Sequence, residues 1–296
     1  MQQTTWHGSA ALYFMEFPMN FLHAILFAIL QGATELFPVS SLGHAVVVPA
    51  VLHWGVDQAS IGFLPFLVML HLGTAVGMLV YFYRDWLSML RGVLGIGYKS
   101  ENSVERQLIL RLIIATLPAV IVGEIVKKPV THLFASPLIA CIFLIVNAGL
   151  LLLGERLRRQ VVKRSTTLTN MDALIIGLFQ CLAFLPGISR SGAAIVGGLR
   201  RGVAHEEAAK FSFLMGTPVI FAAAVIEIPK LLHAHELHAL FGLSLLAAIV
   251  AGLVAFASTA FLMRYFRDHD SWALKPFAWY CAIFGAGSFV LLLLGL

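Results

Sequence analysis

The sequence predicts an all-α membrane protein that crosses the bilayer several times. Of its 296 residues, 59% are hydrophobic and 12% are charged, and soluble domains carry about twice that charged fraction. Several mostly apolar runs are long enough to cross a hydrocarbon core, which takes roughly 20 helical residues. Six such runs cover residues 61–83, 108–127, 137–154, 211–228, 240–263 and 274–295. Backbone groups in lipid must bond internally, so we expect six transmembrane helices.

Two polar stretches interrupt other apolar segments and predict two re-entrant helical hairpins. Each stretch joins two apolar arms, the second of which is too short to span the membrane. The hairpins are expected over residues 21–53 and 172–199, with turns at Pro38 and Pro186. Irregular backbone at membrane depth is tolerated only where it is buried in protein or lines a wet cavity. The turns are therefore candidate functional sites.

The order of these elements predicts an inverted-topology repeat. Three spans follow each hairpin, and because three is odd, the second half starts on the opposite side of the membrane. We expect one membrane domain, residues 1–296, made of a first repeat over 1–160 and a second over 161–296. The longest polar connections, 84–107 and 155–170, are too short to fold as a soluble domain. Opposed hairpins would bring their tips together near the midplane.

The basic residues predict the orientation. Sixteen of the 20 Lys and Arg residues fall on one predicted side and three on the other, with Arg190 at a hairpin tip. The richer side is expected to be cytoplasmic, which puts both termini outside. Basic loops of this kind explain the net charge of +5, so we expect no nucleic-acid partner. The N-terminus lacks a basic region and a small-residue cleavage site, so no cleaved signal peptide is expected.

Three cysteines, an odd number without a C-x-x-C spacing, predict neither a disulfide nor a metal site. All of them lie in apolar segments, where a free cysteine behaves as a small apolar side chain. We expect them to contribute to helix packing.

The second polar stretch, residues 186–192, has the composition of an anion site. The guanidinium of Arg190 is always charged, and its planar donor fork suits phosphate oxygens. A helix is expected to begin here, and a helix N-terminus attracts anions. The neighbouring candidates for substrate binding are Gly187, Ser189, Ser191 and Gly192. The stretch predicts a phosphate or pyrophosphate site. The alternative is a structural ion pair between Arg190 and Glu35.

The first polar stretch carries Gln31 and Glu35, which are spaced i, i+4 and so share one helix face. A carboxylate beside a bound phosphate repels it unless a divalent cation lies between them. Mg²⁺ and Ca²⁺ take oxygen ligands and share them with substrate phosphates, so Gln31 and Glu35 are candidate metal ligands. Glu35 is also a candidate to orient or deprotonate a nucleophile or water, or to pair only with Arg190.

Ser40, Ser41, Gly43 and His44 follow in the same stretch. If a helix starts near Ser41, then Ser41 and His44 share a face as nucleophile and base. His44 is alternatively the group that attacks phosphorus or protonates the leaving group, or a buried histidine without a chemical role. Ser40 and Gly43 are candidate substrate-binding residues, although Ser40 also suits a helix cap.

Three further polar residues lie inside the predicted spans. His71 and Thr74 are candidates to face the cavity from the first span. Asn147 lies in the middle of the third span and is expected to make an interhelical hydrogen bond.

Together, the motifs resemble those of the undecaprenyl-pyrophosphate phosphatase family, also called bacitracin-resistance proteins. That family has an (E/Q)-x-x-x-E motif followed by Pro-Val-Ser-Ser-x-Gly-His, and a second motif Pro-Gly-x-Ser-Arg-Ser-Gly. Here they are Gln31 to Glu35, Pro38 to His44 and Pro186 to Gly192. The resemblance extends over nearly the whole chain. In three places the chain departs from it, since Leu42 and Ala194 stand where relatives often carry Thr and His71 where Gln is common.

The resemblance implies a bacterial inner-membrane enzyme that hydrolyses undecaprenyl pyrophosphate to undecaprenyl phosphate and inorganic phosphate. Such an enzyme recycles the lipid carrier for peptidoglycan and other envelope polymers, and confers bacitracin resistance when overexpressed. A divalent cation and an active site open to the outer, periplasmic face are also implied. Positions treated as catalytic in the family correspond to Glu35, Ser41, His44 and Arg190. The expected partners are the polyprenyl pyrophosphate and membrane lipids, and a homodimer is compatible with the sequence.

A transporter or flippase for a polyprenyl phosphate or another anion is the competing hypothesis. Inverted repeats with broken helices at the midplane are typical of transporters, and a fold alone does not fix function. The Ser41–His44 pair beside Arg190 and Glu35 favours an enzyme, because carrying an anion needs no nucleophile. A combined role, hydrolysis with translocation, is also open.

Overall fold

The computed structural model describes residues 20–56, 62–96, 99–134, 136–158, 164, 167–233 and 238–295. Within these ranges the chain forms α-helices and a 3₁₀ helix, Cys181–Phe184, and no strand. The first half contains α1 Phe21–Thr34, α2 Ser41–Val51, α3 Phe63–Tyr81, α4 Tyr83–Leu94, α5 Lys99–Phe134 and α6 Pro137–Arg156. The second half contains α7 Asn170–Gln180, α8 Arg190–Arg200, α9 His205–His233, α10 His238–Asp268 and α11 Lys275–Leu294.

The helices confirm a polytopic all-α membrane protein. In the described part of the chain, five helices are long and apolar enough to cross a membrane. They are Phe63–Tyr81, Ser103–Val126, Pro137–Arg156, Phe241–Asp268 and Lys275–Leu294. The predicted span 211–228 lies within α9 and is not among the five, so the count of six stays a prediction. The expectation about the N-terminus concerns residues 1–19, which lie outside the described residues.

One of the two predicted polar connections contains helices. Residues 84–107 contain α4 and the start of α5. The N-terminal turn of α4 carries Asp85 and its last turn carries Arg91, the charge arrangement that a helix dipole favours. Gly95 ends the helix in the left-handed conformation, with φ +74°. A search for apolar runs does not detect α4, because the helix is charged and buries only Met89 and Gly92.

Both predicted hairpins are present, and the base of each is closed by a contact between its two arms. In the first, the ring of His23 near the start of α1 stacks on Trp54 beyond the end of α2, with centroids 4.7 Å apart. In the second, Arg201 at the end of α8 donates from Nε to Oδ1 of Asp172 in the first turn of α7, at 2.6 Å. Each hairpin therefore enters and leaves the helical bundle at the same end.

The two hairpins enter the bundle from opposite ends. Ala24, near the start of α1, belongs to an apolar cluster with the first turns of α10, and Gly32 packs against residues 251–255 further along α10. At the other end of α10, Arg267 donates to Glu206 at the start of α9, which directly follows the second hairpin. Opposite entry is the geometry that an inverted repeat requires.

An ionic cluster, buried at His205 and Glu155 and exposed at Asp270, closes the end of the bundle at which the second hairpin enters. The ring of His205 lies between Oε1 of Glu155 and Oδ1 of Asp270, each 3.1 Å from a ring nitrogen. Arg158 donates to the same aspartate. Burial alone raises the pKa of the Asp270 carboxyl, but hydrogen bonds from His205 and Arg158 outweigh burial and hold that pKa below its ordinary value. The cluster ties α6, α9 and the α10–α11 turn together.

The three cysteines are free, as the sequence predicts. Cys141 and Cys281 are buried, and Cys181 is partly buried. Their role is packing within the helical bundle.

Candidate active site

The tips of the two hairpins touch each other inside the bundle. A Cβ atom added to Gly43 would lie 3.0 Å from Cα of Gly187, which is tighter than side chains normally allow. Gly187 also has φ +103°, a conformation that glycine adopts without steric cost. Ser191 donates from Oγ to the carbonyl oxygen of Phe37 at 3.4 Å. The sequence prediction that the two tips meet is therefore confirmed.

Asn147 of α6 holds both tips at once. Its Nδ2 donates to the carbonyl oxygen of Pro38 at 3.0 Å, and its Oδ1 accepts the backbone N–H of Ser189 at 3.1 Å. The side chain is fully buried. The predicted interhelical hydrogen bond also exists, from the same Nδ2 to Sγ of Cys281 in α11 at 3.4 Å. Asn147 thus connects the two turns that carry the candidate site.

The two tips share one local structure, a helix that begins with a serine cap. Ser40 caps α2 and Ser189 caps α8, and each side chain accepts the backbone N–H three residues later, at 3.2 Å and 3.1 Å. Ser41 and Arg190 are consequently the first residues of two equivalent helices. The helix starts predicted at both stretches are confirmed, and the cap explains why each stretch places a serine there.

Glu35, just after α1, is the point on which the polar side chains converge. Its Oε1 lies 3.2 Å from Nη2 of Arg190. Its Oε2 accepts the hydroxyl of Ser41 at 2.6 Å and the amide nitrogen of Gln31 at 3.1 Å. The imidazole Nε2 of His71 lies 3.5 Å from the same oxygen. One buried carboxylate therefore contacts groups from both hairpins and from α3.

Apart from Gln31, these groups line a cavity of about 180 Å³. Its polar wall consists of Glu35, Ser40, Ser41, His71, Ser189 and Arg190. Its apolar wall consists of Leu42, Ala183, Ile188, Val219 and Ile220. A cavity that combines charged and aliphatic walls suits an amphipathic ligand, with its anionic group near Arg190 and its chain against the aliphatic side chains.

Several predicted site residues shape the tips without lining this cavity. They are Gln31, Gly43, His44, Gly187, Ser191 and Gly192. The glycines permit close backbone approach, since a Cβ at Gly192 would lie 3.1 Å from Cβ of Pro38. Thr74 likewise turns back to its own helix and donates to the carbonyl oxygen of His71 at 2.7 Å. The predicted placement of His71 in the cavity is confirmed, whereas Thr74 lies behind His71 and does not line the cavity.

The predicted pairing of Ser41 with His44 is not formed. His44 is only 1% exposed, and its Nδ1 lies 2.7 Å from the carbonyl oxygen of Ser40. Its Nε2 lies 2.8 Å from the hydroxyl of Tyr280 in α11. The ring is stacked with Tyr280 and Phe284, at interplanar angles of 4° and 1°. This packing turns His44 towards α11, while Ser41 turns towards Glu35.

Tyr280 is a site residue that the sequence motifs do not reveal. It lies 236 residues from His44 in an apolar helix without a recognisable motif around it. The sequence shows only that a tyrosine lies within a predicted span. Because tyrosines are common near membrane surfaces, this does not single out Tyr280 as a site residue.

Glu35 and Gln31 offer the oxygen ligands that a divalent cation prefers, but they are too few to hold a cation without further ligands. Among the described residues, no group of three or more His, Cys, Asp or Glu side chains lies together in a way that could hold a metal ion. Glu35 supplies one carboxylate, and the carbonyl oxygen of Gln31 is a second donor if the amide turns, since its nitrogen faces Glu35. Mg²⁺ commonly binds one or two carboxylates and takes further oxygens from a substrate phosphate.

Comparisons with known proteins identify the family of this chain. The family model described as bacitracin resistance protein BacA matches residues 24–287. A protein of Acidiphilium cryptum named undecaprenyl-diphosphatase is 63% identical over 281 residues, which cover 94% of this chain and 100% of the relative. A protein of the same name from Granulibacter bethesdensis is 55% identical, over 91% of this chain and 96% of the relative.

A more distant relative from Chromobacterium violaceum, named undecaprenyl-diphosphatase 2, is 46% identical over 90% of this chain and 97% of the relative. The family match begins three residues into the first hairpin, covers the second hairpin and the first five predicted spans, and ends within the last span. The chain therefore belongs to the bacitracin resistance protein BacA family.

Proposed function

We propose that this protein is an undecaprenyl-diphosphatase, which hydrolyses undecaprenyl pyrophosphate to undecaprenyl phosphate and inorganic phosphate. The observation that carries the proposal is the convergence of Ser41 and Arg190 on Glu35 in a cavity with an aliphatic wall. The names of the relatives support the same activity. The product returns the lipid carrier to cell-wall synthesis, which accounts for bacitracin resistance in this family.

Arg190 is the phosphate-binding group of the proposed site. Its side chain is 18% exposed and lies at the start of α8, where the helix dipole adds positive potential. A pyrophosphate in the cavity meets the guanidinium first, because the aliphatic wall offers it no hydrogen-bond donor. Binding weakens the contact between Arg190 and Glu35, since the phosphate oxygens compete for the same donors. Leu42, Ile188 and Ile220, which form part of the apolar wall, would contact the first isoprene units of the lipid.

Ser41 is the proposed nucleophile, and Glu35 is its base. The Oγ–Oε2 distance of 2.6 Å is that of a hydrogen bond from a hydroxyl to a carboxylate. As Oγ attacks the terminal phosphorus, its proton passes to Glu35, and the bond to the bridging oxygen breaks to release undecaprenyl phosphate. Water then hydrolyses the phosphoserine, which yields inorganic phosphate and restores Ser41. Direct attack by water activated at Glu35 is the alternative from the same geometry.

We also propose a divalent cation, Mg²⁺ or Ca²⁺, held by Glu35 and the Gln31 carbonyl together with substrate phosphate oxygens. A cation in this place would neutralise phosphate charge during transfer. The proposal accounts for a carboxylate at a position that must accept a pyrophosphate. It also accounts for the small number of protein ligands, because the substrate supplies the remaining oxygens.

The proposed setting is the bacterial inner membrane, with the basic end of the bundle in the cytoplasm and both termini outside. The first hairpin then enters from the periplasmic side and the second from the cytoplasmic side, as halves of an inverted repeat. Two ion pairs, Arg201 with Asp172 and Lys210 with Asp85, lie near the end of the bundle at which the second hairpin enters. They support this proposal because they place basic side chains at the end assigned to the cytoplasm. The active site would open towards the periplasmic face. Labelling of single cysteines from each side tests this orientation.

The test of the activity is the stoichiometry of the products. Purified protein in detergent is given undecaprenyl pyrophosphate, and the lipid product and inorganic phosphate are quantified together. Equal amounts of undecaprenyl phosphate and inorganic phosphate are expected. A folded protein that binds the lipid without releasing phosphate would favour the transporter instead.

A further inference from the structure

We propose that His44 is a positioning residue. Through Nδ1 it holds the Ser40 turn that aims Ser41 at Glu35, and the hydroxyl of Tyr280 holds the ring through Nε2. The inference rests on the proposed function of the cavity, because it concerns how the nucleophile is placed. It differs from the sequence-based hypothesis, in which His44 itself acts as base, acid or nucleophile.

The backbone at Ser40 is strained. Its φ of +72° lies in a region that non-glycine residues rarely adopt, and its ψ is +96°. Such conformations persist only where the surrounding structure holds them, and they cluster at functional sites. The next residue is Ser41, so the orientation of the Ser40–Ser41 peptide sets the position of the Ser41 hydroxyl.

His44 supplies the shortest of the hydrogen bonds to Ser40 itself. The Ser40 carbonyl oxygen lies 2.7 Å from Nδ1 of His44 and 3.2 Å from the backbone nitrogen of the same residue. The third contact is the cap itself, in which the Ser40 hydroxyl accepts the N–H of Gly43 at 3.2 Å. The cap and the backbone bond are ordinary features of a helix start. The imidazole bond is the additional restraint that this sequence provides.

The tautomer of His44 follows from its partners. A carbonyl oxygen only accepts hydrogen bonds, so Nδ1 carries a hydrogen. In the neutral ring Nε2 is then an acceptor, and the hydroxyl of Tyr280 donates to it at 2.8 Å. The stack with Tyr280 and Phe284 keeps the ring in the plane that both bonds require. Both ring nitrogens are therefore occupied by groups other than the substrate.

The position of His44 separates it from the reacting atoms. It is 1% exposed and does not line the cavity, whereas Ser40 and Ser41 do. Its effect on Ser41 must pass through the Ser40 carbonyl. Loss of that contact would let the turn relax and move the Ser41 hydroxyl away from Glu35.

Two amide substitutions separate positioning from acid–base chemistry. In His44→Asn, the amide nitrogen occupies the place of Nδ1 and can still donate to Ser40, but no group remains at Nε2. In His44→Gln, the amide lies further out, near Tyr280, and the donor to Ser40 is lost. We expect His44→Asn to keep kcat within about tenfold of the parent and His44→Gln and His44→Ala to lose about 100-fold or more. An asparagine variant that folds and is as inactive as His44→Ala would overturn the inference.

Tyr280→Phe gives an independent measurement, because it keeps the ring stack and removes only the hydroxyl. We expect kcat to fall by about three- to thirtyfold with little change in KM. In the His44→Asn background the same change should have no effect, because Nε2 is absent. Equal losses in both backgrounds, or parental activity in Tyr280→Phe alone, would contradict the assigned role.

A spectroscopic measurement distinguishes failure of this inference from failure of the proposed function. Nitrogen NMR of protein labelled at histidine reports which ring nitrogen carries hydrogen, and the His44 signals are those missing in His44→Asn. The parent should show hydrogen on Nδ1. Hydrogen on Nε2 would overturn the inference even if the protein is active. An inactive parent with hydrogen on Nδ1 would refute the phosphatase and leave the positioning of the turn supported.

Discussion

The guanidinium of Arg190 lies 3.2 Å from the carboxylate of Glu35, although the two residues are 155 positions apart in the chain. The contact joins the tips of two hairpins that enter the bundle from opposite ends. The phosphate-binding group and the proposed base are thus also partners in an ion pair. The substrate phosphate must compete with Glu35 for the donors of Arg190. A substitution of either residue therefore changes the hydrogen bonds of the other.

Glu35→Gln is expected to separate binding from chemistry. The substitution keeps the shape of the side chain but removes the negative charge that competes for Arg190 and repels phosphate. At saturating divalent cation we expect kcat to fall by about 10²–10⁴ because Ser41 loses its base. Loss of a competitor for Arg190 lowers KM and loss of a cation ligand raises it, so the change in KM should be the smaller of the two effects. Initial rates across substrate concentrations measure both. A rise in KM with kcat unchanged would show that Glu35 only binds.

Ser41→Ala tests the nucleophile. If Ser41 attacks phosphorus, the variant should retain less than about 1% of the parental kcat, because a covalent route cannot form. Phosphate release and the mass of the trapped protein are measured together, and the parent should show a phosphoserine during turnover. Substantial turnover by Ser41→Ala would instead assign the attack to water at Glu35.

Removal of divalent cations is expected to abolish turnover, and Mg²⁺ or Ca²⁺ should restore it. Because the amide of Gln31 touches Glu35 and its carbonyl is a candidate ligand, Gln31→Leu should raise the cation concentration needed for half-maximal rate by about tenfold. Gln31→Glu should lower it. Unchanged activity in chelator would rule out the cation in this site.

His205→Ala is expected to destabilise the fold without changing the chemistry. It leaves the buried Glu155 carboxylate without the hydrogen bond from the ring, and a hydrogen bond to a charged group contributes about 1.5–3 kcal/mol. Thermal unfolding in detergent measures the loss, and exposed His269→Ala is the matched control. The kcat of the folded fraction should equal that of the parent. A lowered kcat with normal stability would give the cluster a catalytic role.

Local chemistry explains why so much of the site follows from the sequence. Apolar length defines the helices, and Pro, Gly and Ser define the turns, because helix starts and tight turns depend on neighbouring residues. Glu35 and Arg190 are conspicuous because charges at membrane depth are costly. The sequence therefore indicates both tips, their helix starts and the charged pair that lies between them.

Side-chain direction is the part that the sequence does not determine. Spacing along α2 places Ser41 and His44 within reach of each other, yet packing against α11 turns His44 away. That packing involves Tyr280, 236 residues distant. The bridging of both tips by Asn147 is equally non-local. Contacts between distant segments are decided by how the helices pack, and no local pattern reports them.

The measurement that tests the central claim most directly is phosphate release from undecaprenyl pyrophosphate by the parent and by Arg190→Ala. It is run with Mg²⁺, with Ca²⁺ and with chelator, beside Arg264→Ala, whose side chain is 86% exposed. The account predicts cation-dependent release that is lost in Arg190→Ala and kept in Arg264→Ala. Equal release by both variants, or none from a folded parent, would contradict a phosphatase site between the hairpin tips.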